Sequence, residues 1–310
     1  MNRKELIRVL SRTTSLKWDY ANYGMFVGIY PDGIYANDMN VGLWQEIETG
    51  VRVNVERKKL LTWLKKSRSE LVFIDKEGIL ETSEGLIHLR TIDDYPPPIP
   101  CAQYQELDFD ASKISWAIGG DRPVLKGIGI TGGYACGANG YILAALPSKL
   151  PECIIDVALA KFMVEADGFA LVDGITYVRG SGWWARATAV EGIYPNVTYY
   201  LLDGEPIKRM QIDSAKLCHA IDMIRVDGAT SLTMEGATLA TDDALVYSGC
   251  VPVGPEYKVI FSPTLLRDVV AAVGDCEMYQ HDIYSAALFV SEPLKVVLMP
   301  MYNPRGQDES

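Results

Sequence analysis

Between Glu56 and Arg68 the chain alternates leucine and lysine with helical spacing. At about 100° per residue, Leu60, Leu61 and Leu64 share one arc, and Lys58, Lys59, Lys65 and Lys66 take the opposite arc with Thr62 between them. The first residues repeat the arrangement, with Leu6, Ile7 and Leu10 on one side and Lys4, Arg8 and Arg12 on the other. Helix-like stretches are expected over 2–12, 56–67, 110–118, 156–164, 213–224 and 262–272, with Asp110 and Asp213 as N-caps of two of them. The intervening segments alternate apolar and polar residues and are punctuated by hairpin-type turns at Asp32-Gly33, Lys76-Glu77-Gly78, Gly132-Gly133, Asp173-Gly174 and Glu235-Gly236. The order helix, strands, helix, strands therefore occurs three times, which predicts an α+β protein built from three copies of one domain.

Two stretches punctuate the chain at the spacing this repeat requires. Asp94-Tyr95-Pro96-Pro97-Pro98-Ile99-Pro100 cannot be helix or central strand, and Leu202-Asp203-Gly204-Glu205-Pro206 reads as a second boundary. The expected domains are 1–104, 105–207 and 208–310, each about 100 residues and thus of ordinary domain size.

Charge sharpens the reading of the helices. The net charge is −11, yet residues 1–100 hold 14 Lys and Arg against 14 Asp and Glu, whereas residues 101–310 hold 15 against 26. Exposed helix faces usually mix signs to gain i,i+4 pairs, so a stripe of one sign calls for an external anion. Phosphate backbone is the leading candidate, with an anionic surface or an acidic protein next. No aromatic residues or groove-reading Arg and Asn set interleave the stripe, which favours sequence-independent contact with double-stranded DNA. The candidate DNA-contacting residues are Lys4, Arg8, Arg12, Lys58, Lys59, Lys65, Lys66, Lys113, Lys216 and Arg267. Lys161, His219 and Arg225 are isolated positive positions on later helices, and Lys161 does not clear the apolar arc.

Catalytic chemistry finds no constellation. No P-loop, nucleophile elbow or paired-histidine zinc motif occurs. His88 lies in a strand-like run, and neither His219 nor His281 falls beside a recognised nucleophile motif. Asp93-Asp94 and Asp242-Asp243 read as turn acids rather than a metal site, and Gly132-Gly133 and Gly180-Ser181-Gly182 as hairpin turns rather than phosphate cradles. Six scattered cysteines without a CxxC pair, and only three histidines, point away from structural zinc and towards reduced thiols in a cytoplasm. The apolar runs are strand-sized and the N-terminal residues are charged, so neither a membrane span nor a signal peptide is expected. No cofactor and no metal are expected. Near the C-terminus the strand-like run 294–298 enters Met299-Pro300-Met301, where Pro300 ends ladder donation. Two flexible thioethers there suit either core filling or an adaptable pocket.

Ordered motifs along the chain carry a resemblance. Asp94-Tyr95-Pro96 to Pro100, Arg122-Pro123-Val124-Leu125-Lys126-Gly127-Ile128, Ala138-Asn139-Gly140-Tyr141-Ile142-Leu143-Ala144, Val190-Glu191-Gly192-Ile193-Tyr194-Pro195-Asn196 and Val296-Val297-Leu298-Met299-Pro300-Met301 resemble, in order and spacing, the bacterial DNA polymerase III beta sliding clamp family, including phage-encoded relatives. The likeness is strongest over 94–302 and weakest in the first domain. It implies a non-catalytic processivity factor: a ring of two three-domain subunits joined head to tail, with sheets outside and helices lining a hole that holds duplex DNA. It also implies a pocket for a short peptide of DNA polymerase and clamp loader, formed here by Leu125, Gly140, Tyr141, Ile142, Leu143, Pro195, Val297, Leu298, Met299, Pro300 and Met301. Several residues depart from the family pattern. Asn139 replaces an Asp, Tyr141-Ile142 stands where an Arg is common, and Tyr302 stands where an Arg often closes the chain. The tail 303–310 follows and could lie over the pocket, and Phe261-Ser262-Pro263-Thr264-Leu265 matches only loosely.

Three readings compete. The first is a processivity clamp that encircles DNA. The second is a clamp-fold regulatory or decoy protein that binds replication partners without encircling DNA. The third is an enzyme on a repeated α+β scaffold, which requires convergent titratable groups that the sequence does not present.

Overall fold

A computed structural model describes all residues except 14–22, 39, 102, 202–207, 226–227, 242–244, 248–249, 254–257, 281–284 and 302–310. The expectations at Asp242-Asp243, His281, Tyr302, the tail 303–310 and the boundary at 202–206 thus lie outside the described residues. The helices are α1 (Arg3–Arg12), α2 (Arg57–Lys66), α3 (Ser112–Ser115), α4 (Val157–Met163), α5 (Val197–Tyr200), α6 (Ser214–Ile224) and α7 (Pro263–Val273). No helix among the described residues is long and apolar enough to cross a membrane.

The element order repeats as the hydrophobic pattern anticipates. After α1 come the strands Phe26–Tyr30, Gly33–Asn37, Val41–Glu46 and Val53–Glu56, then α2, then Val72–Ile74, Ile79–Thr82 and Gly85–His88. After α3 come Gly127–Thr131, Tyr134–Ala138, Ile142–Pro147 and Cys153–Asp156, then α4, then Gly168–Val172, Ile175–Gly180 and Trp183–Thr188. After α6 come Leu232–Glu235, Thr238–Ala240, Leu245–Tyr247, Val251–Val253 and Lys258–Phe261, then α7, then Cys276–Gln280, Ala287–Ser291 and Leu294–Leu298.

Each half-repeat is an antiparallel meander, and the sheets form by joining halves from different repeats. In one sheet Val41–Glu46 pairs with Trp183–Thr188, with Trp44 opposite Trp184. In another, Ile142–Pro147 pairs with Leu294–Leu298, with Leu143 opposite Val297. The chain accordingly divides into two compact units, Met1–Leu107 with Ile155–Ala189, and Asp108–Ile154 with Val190–Ser310. Two half-sheets stay separate within the chain: Val72–Ile74, Ile79–Thr82 and Gly85–His88 in the first unit, and the four-stranded sheet with Leu245–Tyr247 at one edge and Lys258–Phe261 at the other in the second.

In the first unit Leu6, Val9 and Leu10 of α1 and Leu60, Leu61 and Leu64 of α2 form the buried faces, each leucine contributing roughly 2 kcal/mol by burial. Val9 thus takes the core position expected of Ile7, which is only half-buried. Asn2 caps α1 by accepting from the amides of Lys4 and Glu5. Two arginines tie the helices together. Arg3 donates to the carbonyls of Leu64 and Ser69 at 2.8 and 2.6 Å, satisfying the C-terminal end of α2. Arg57 is buried and donates to the Thr13 carbonyl, and burial lowers its pKa from the usual value.

The second unit shows where helix pattern failed. The expected helix 110–118 is the single turn α3, because Gly119 and Gly120 follow and the Ile114 carbonyl lies against Gly137 with no room for a Cβ. Asp110 still accepts from the Ser112 amide at 3.0 Å. Asp213 caps α6 through the Lys216 amide at 3.0 Å, and Gly274 at φ 77° ends α7. The short helix α5 was not anticipated.

Candidate functional site

A cavity of about 500 Å³ opens in the second unit where Ile142–Pro147 meets Leu294–Leu298. Its floor is apolar: Leu125, Ala138, Leu143 and Val297 are buried residues that line it, with Ile142, Pro195 and Met299. Gly120, Asp121, Arg122, Asn139, Gly140, Tyr141 and Tyr200 complete the wall, Tyr141 with 64% of its surface exposed.

The wall is positioned by local rules. Asn139 Oδ1 accepts from the amides of Tyr141 and Ile142 at 2.9 and 2.8 Å, an Asx turn that lets Gly140 sit at φ 94° and starts the strand. Asp38 does the same for Asn40 and Val41 in the first unit, at the equivalent place in the repeat. Asn in place of the family's Asp therefore keeps the acceptor that the turn uses. Replacing Asn139 with Ala is expected to lower stability by about 1 kcal/mol in urea unfolding, whereas Asn139→Asp stays within about 0.5 kcal/mol. Gly120, at φ 88°, packs so closely on the Asn139 carbonyl that any side chain there displaces the loop carrying Asp121 and Arg122. On the far wall Tyr194 lies over Gly129 and donates to the Cys136 carbonyl at 3.1 Å, which carries Pro195 into the cavity. Burial pushes the Tyr194 hydroxyl pKa well up, so it stays a proton donor at neutral pH.

Of the residues expected in the pocket, Leu125, Gly140, Tyr141, Ile142, Leu143, Pro195, Val297 and Met299 come together. Leu298, Pro300 and Met301 do not. Strand alternation turns Leu298 away from Val297, and Leu298 is fully buried on the other face. Once the Met299 amide has bonded the Tyr141 carbonyl at 2.9 Å, the chain departs, and the Met301 amide bonds the Ile260 carbonyl at 2.8 Å. The sequence pattern did not single out Gly120, Asp121, Arg122, Ala138, Asn139 and Tyr200 as wall residues. Arg122, Ala138 and Asn139 lie within the family-like motifs, whereas Tyr200 sits on the one-turn helix α5, which has no periodic signal.

The cations divide into two groups. Lys4, Arg8, Lys58, Lys59, Lys65, Lys66 and Lys113 are exposed, as their arcs require. Lys59 also reaches the His88 carbonyl at 2.8 Å. Arg12 departs from the expected outer stripe. It is half-buried, paired with Glu165, bonded to Gln45 at 3.2 Å and placed 4.4 Å from the centre of the Trp183 ring. Arg267 forms a two-point pair with Asp222 at 2.7 and 3.1 Å, joining α7 to α6, and each partner stabilises the charged form of the other. Lys216 is exposed but pairs with its own cap, Asp213, at 2.7 Å. These three cations already serve carboxylates of this chain.

Large apolar side chains are exposed on the two separate half-sheets. Leu71, Phe73 and Leu86 are 68, 62 and 59% exposed. Phe73 and Leu86 both stand opposite Glu81, so they share one face. The outer edge of Val72–Ile74 is already taken by the Met1 carbonyl and the Asn2–Leu71 bridge, which leaves Gly85–His88 as the open edge. In the second unit the Ile260 carbonyl is engaged by Met301, and Leu245, on the opposite edge strand, is 73% exposed.

Neither a family model nor a curated protein matches the sequence. Solved structures do match over nearly the whole chain. The DNA polymerase sliding clamp of Pseudomonas aeruginosa superimposes with a TM-score of 0.81 at 16% identity, covering 98% of this chain and 99% of that one. The beta subunit of the Streptococcus pyogenes DNA polymerase gives 0.81 at 12%, covering 98% and 99%. The Helicobacter pylori beta clamp bound to a DNA ligase peptide gives 0.79 at 13%, covering 97% and 99%. The chain has the fold of the bacterial DNA polymerase III beta sliding clamps.

Proposed function

We propose that the protein is a DNA sliding clamp: a non-catalytic processivity factor that encircles duplex DNA and tethers a DNA polymerase. The observation that carries the reading is the pairing rule of the half-sheets. The third strand after α1 pairs with the last strand of the second repeat, and the third strand after α3 with the last strand of the third repeat. Applied once more, the rule matches the third strand after α6, Leu245–Tyr247, with the last strand of the first repeat, Gly85–His88. Within the chain each of these is a sheet edge. Pairing Leu245–Tyr247 of one copy with Gly85–His88 of the next satisfies both edges and covers Leu86 and Leu245, the exposed apolar side chains of the two joined strands. Such a junction joins two different surfaces, so it is head to tail and closes only as a ring. Three domains, 1–104, 105–207 and 208–310, in each of two copies give six modules.

Exposed lysines on α1 and α2 supply phosphate contacts that need no sequence. A closed ring does not require tight contacts, and a tethered polymerase gains effective concentration instead. The pocket is assigned to a peptide of the polymerase or the clamp loader. A DNA ligase peptide bound to the Helicobacter pylori clamp supports that class of ligand.

A regulatory clamp-fold protein that does not encircle DNA is the second reading, favoured by the internal pairing of Arg12, Lys216 and Arg267 and by the net charge of −11. Sedimentation velocity separates the two. The clamp reading expects a two-copy species at micromolar concentration. A single-copy species throughout the micromolar range contradicts it.

A further inference from the structure

We propose that the first unit carries a binding site for a small oxyanion, of phosphate or carboxylate type, held by the guanidinium of Arg186. The site occupies the place in the first unit that repeats the apolar cavity of the second, and it stands independently of the clamp reading. Arg186 is opposite Gly42 as Val297 is opposite Leu143, and Gly42 is opposite Asn37 as Leu143 is opposite Ala138. The Asx turns of Asp38 and Asn139 fix the same alignment. The wall changes character at each position: Asn37 for Ala138, Asn40 for Tyr141, Gly42 for Leu143, Arg186 for Val297 and Thr188 for Met299. The cavity is about 90 Å³, against about 500 Å³ in the second unit. That is well below the roughly 300 Å³ at which sites for larger organic ligands begin, and it suits a small ion.

The guanidinium is held by buried neighbours. Gly42 leaves to the Tyr35 hydroxyl the space that a Cβ would fill, and Arg186 donates to that hydroxyl at 3.4 Å. Tyr177 stands directly opposite Arg186 on the other side, and both tyrosines are buried. Burial works against the charge of Arg186, but the two phenol oxygens outweigh it. Phenols orient a cation without neutralising it. Among the described residues no carboxylate pairs with Arg186. Asp38, the acid of the adjoining turn, accepts from the Asn40 and Val41 amides through one oxygen and supports the charge of Arg57. A half-buried guanidinium that lines a cavity and has phenols as its partners is completed by an oxyanion, through a charge-assisted, two-point contact.

The rim supplies further donors. Asn40 and Thr188 are exposed at the mouth, and among the described residues neither the Asn40 side-chain amide nor the Thr188 hydroxyl makes a hydrogen bond. Asn37 is buried in the wall. None of the described lining residues is acidic. An ion on Arg186 therefore meets an amide and a hydroxyl at the opening and no opposing carboxylate, which selects for negative charge with more than one acceptor oxygen.

The test uses the full chain at neutral pH and constant ionic strength. Replacing chloride by about 50 mM phosphate or acetate should raise the thermal unfolding midpoint by about 3 °C with at least one of the two ions, and by less than about 1 °C in Arg186→Gln. Each protein is compared with its own midpoint in chloride, so a variant of lower stability still reports the ion, and phosphate bound by surface lysines contributes equally to both. Titration of the parent with the more stabilising ion should shift the backbone amide signals of residues 40 and 188 along a saturating curve. In Asn40→Ala/Thr188→Val, which leaves the guanidinium in place, the Kd from that curve should rise about tenfold. A rise with phosphate alone assigns a phosphate site, and one with acetate alone a carboxylate site. Equal gains in the parent and Arg186→Gln, no gain with either ion, or amide shifts that grow without saturating overturn the proposal.

Discussion

Replacing Leu86 with Glu is expected to convert the protein to single copies and to abolish its retention on closed circular DNA. Leu86 is 59% exposed on the open edge strand Gly85–His88, so the chain itself tolerates a carboxylate there and thermal unfolding should be unchanged. In the proposed junction the same carboxylate is buried against apolar surface without a partner. A penalty of about 4 kcal/mol weakens association roughly a thousandfold. Leu245→Glu, on the other edge, should have the same effect. The two variants mixed should recover one intact junction and form open dimers, because each retains the edge that is damaged in the other. An isologous interface gives no such recovery. Sedimentation of the separate and mixed variants reads all three outcomes.

Replacing Lys58, Lys59, Lys65 and Lys66 together with Ala is expected to flatten the salt dependence of DNA binding. Every phosphate that is no longer neutralised takes about 0.9 off the slope of log K against log salt, so the slope should fall by about 3 to 4 and the affinity near physiological salt roughly a hundredfold. Helix stability should not suffer, since alanine is the best helix former and like charges are removed from one face. Arg12→Ala should behave in the opposite way. DNA binding stays close to that of the parent, whereas urea unfolding loses about 1–2 kcal/mol with the Glu165 pair and the Trp183 stacking. An equal drop of DNA affinity in both variants contradicts this division of the cations.

What the sequence displayed follows from the range of the forces involved. The faces of α2 depend on neighbours three and four residues apart, so the leucine and lysine arcs were legible and the lysines are exposed. Arg12 continues the i, i+4 spacing of Lys4 and Arg8, but its fate was decided by Glu165, 153 positions away, which no helical wheel contains. The same limit applies to strands. Alternation tells that Val297 and Leu298 face opposite ways, but not which way is the pocket. That depends on Leu143 being the partner of Val297. The Asx turn at Asn139 and the close approaches at Gly120 and Gly129 are local and lay within or beside recognisable motifs, whereas Tyr200 enters the wall only because a one-turn helix follows Pro195. The edges at Gly85–His88 and Leu245–Tyr247 were invisible in sequence because alternation fixes the face of a strand and leaves its neighbour open.

Encirclement has a direct physical signature, since a ring escapes only over a free end. The deciding measurement is retention of the loaded protein on closed circular plasmid by gel filtration, followed by linearisation of the same DNA with a restriction enzyme. The clamp account predicts co-elution with the circle at moderate salt and rapid release once the circle is cut. Equal retention on circular and linear DNA, or none on either under conditions where the two-copy species is intact, contradicts it.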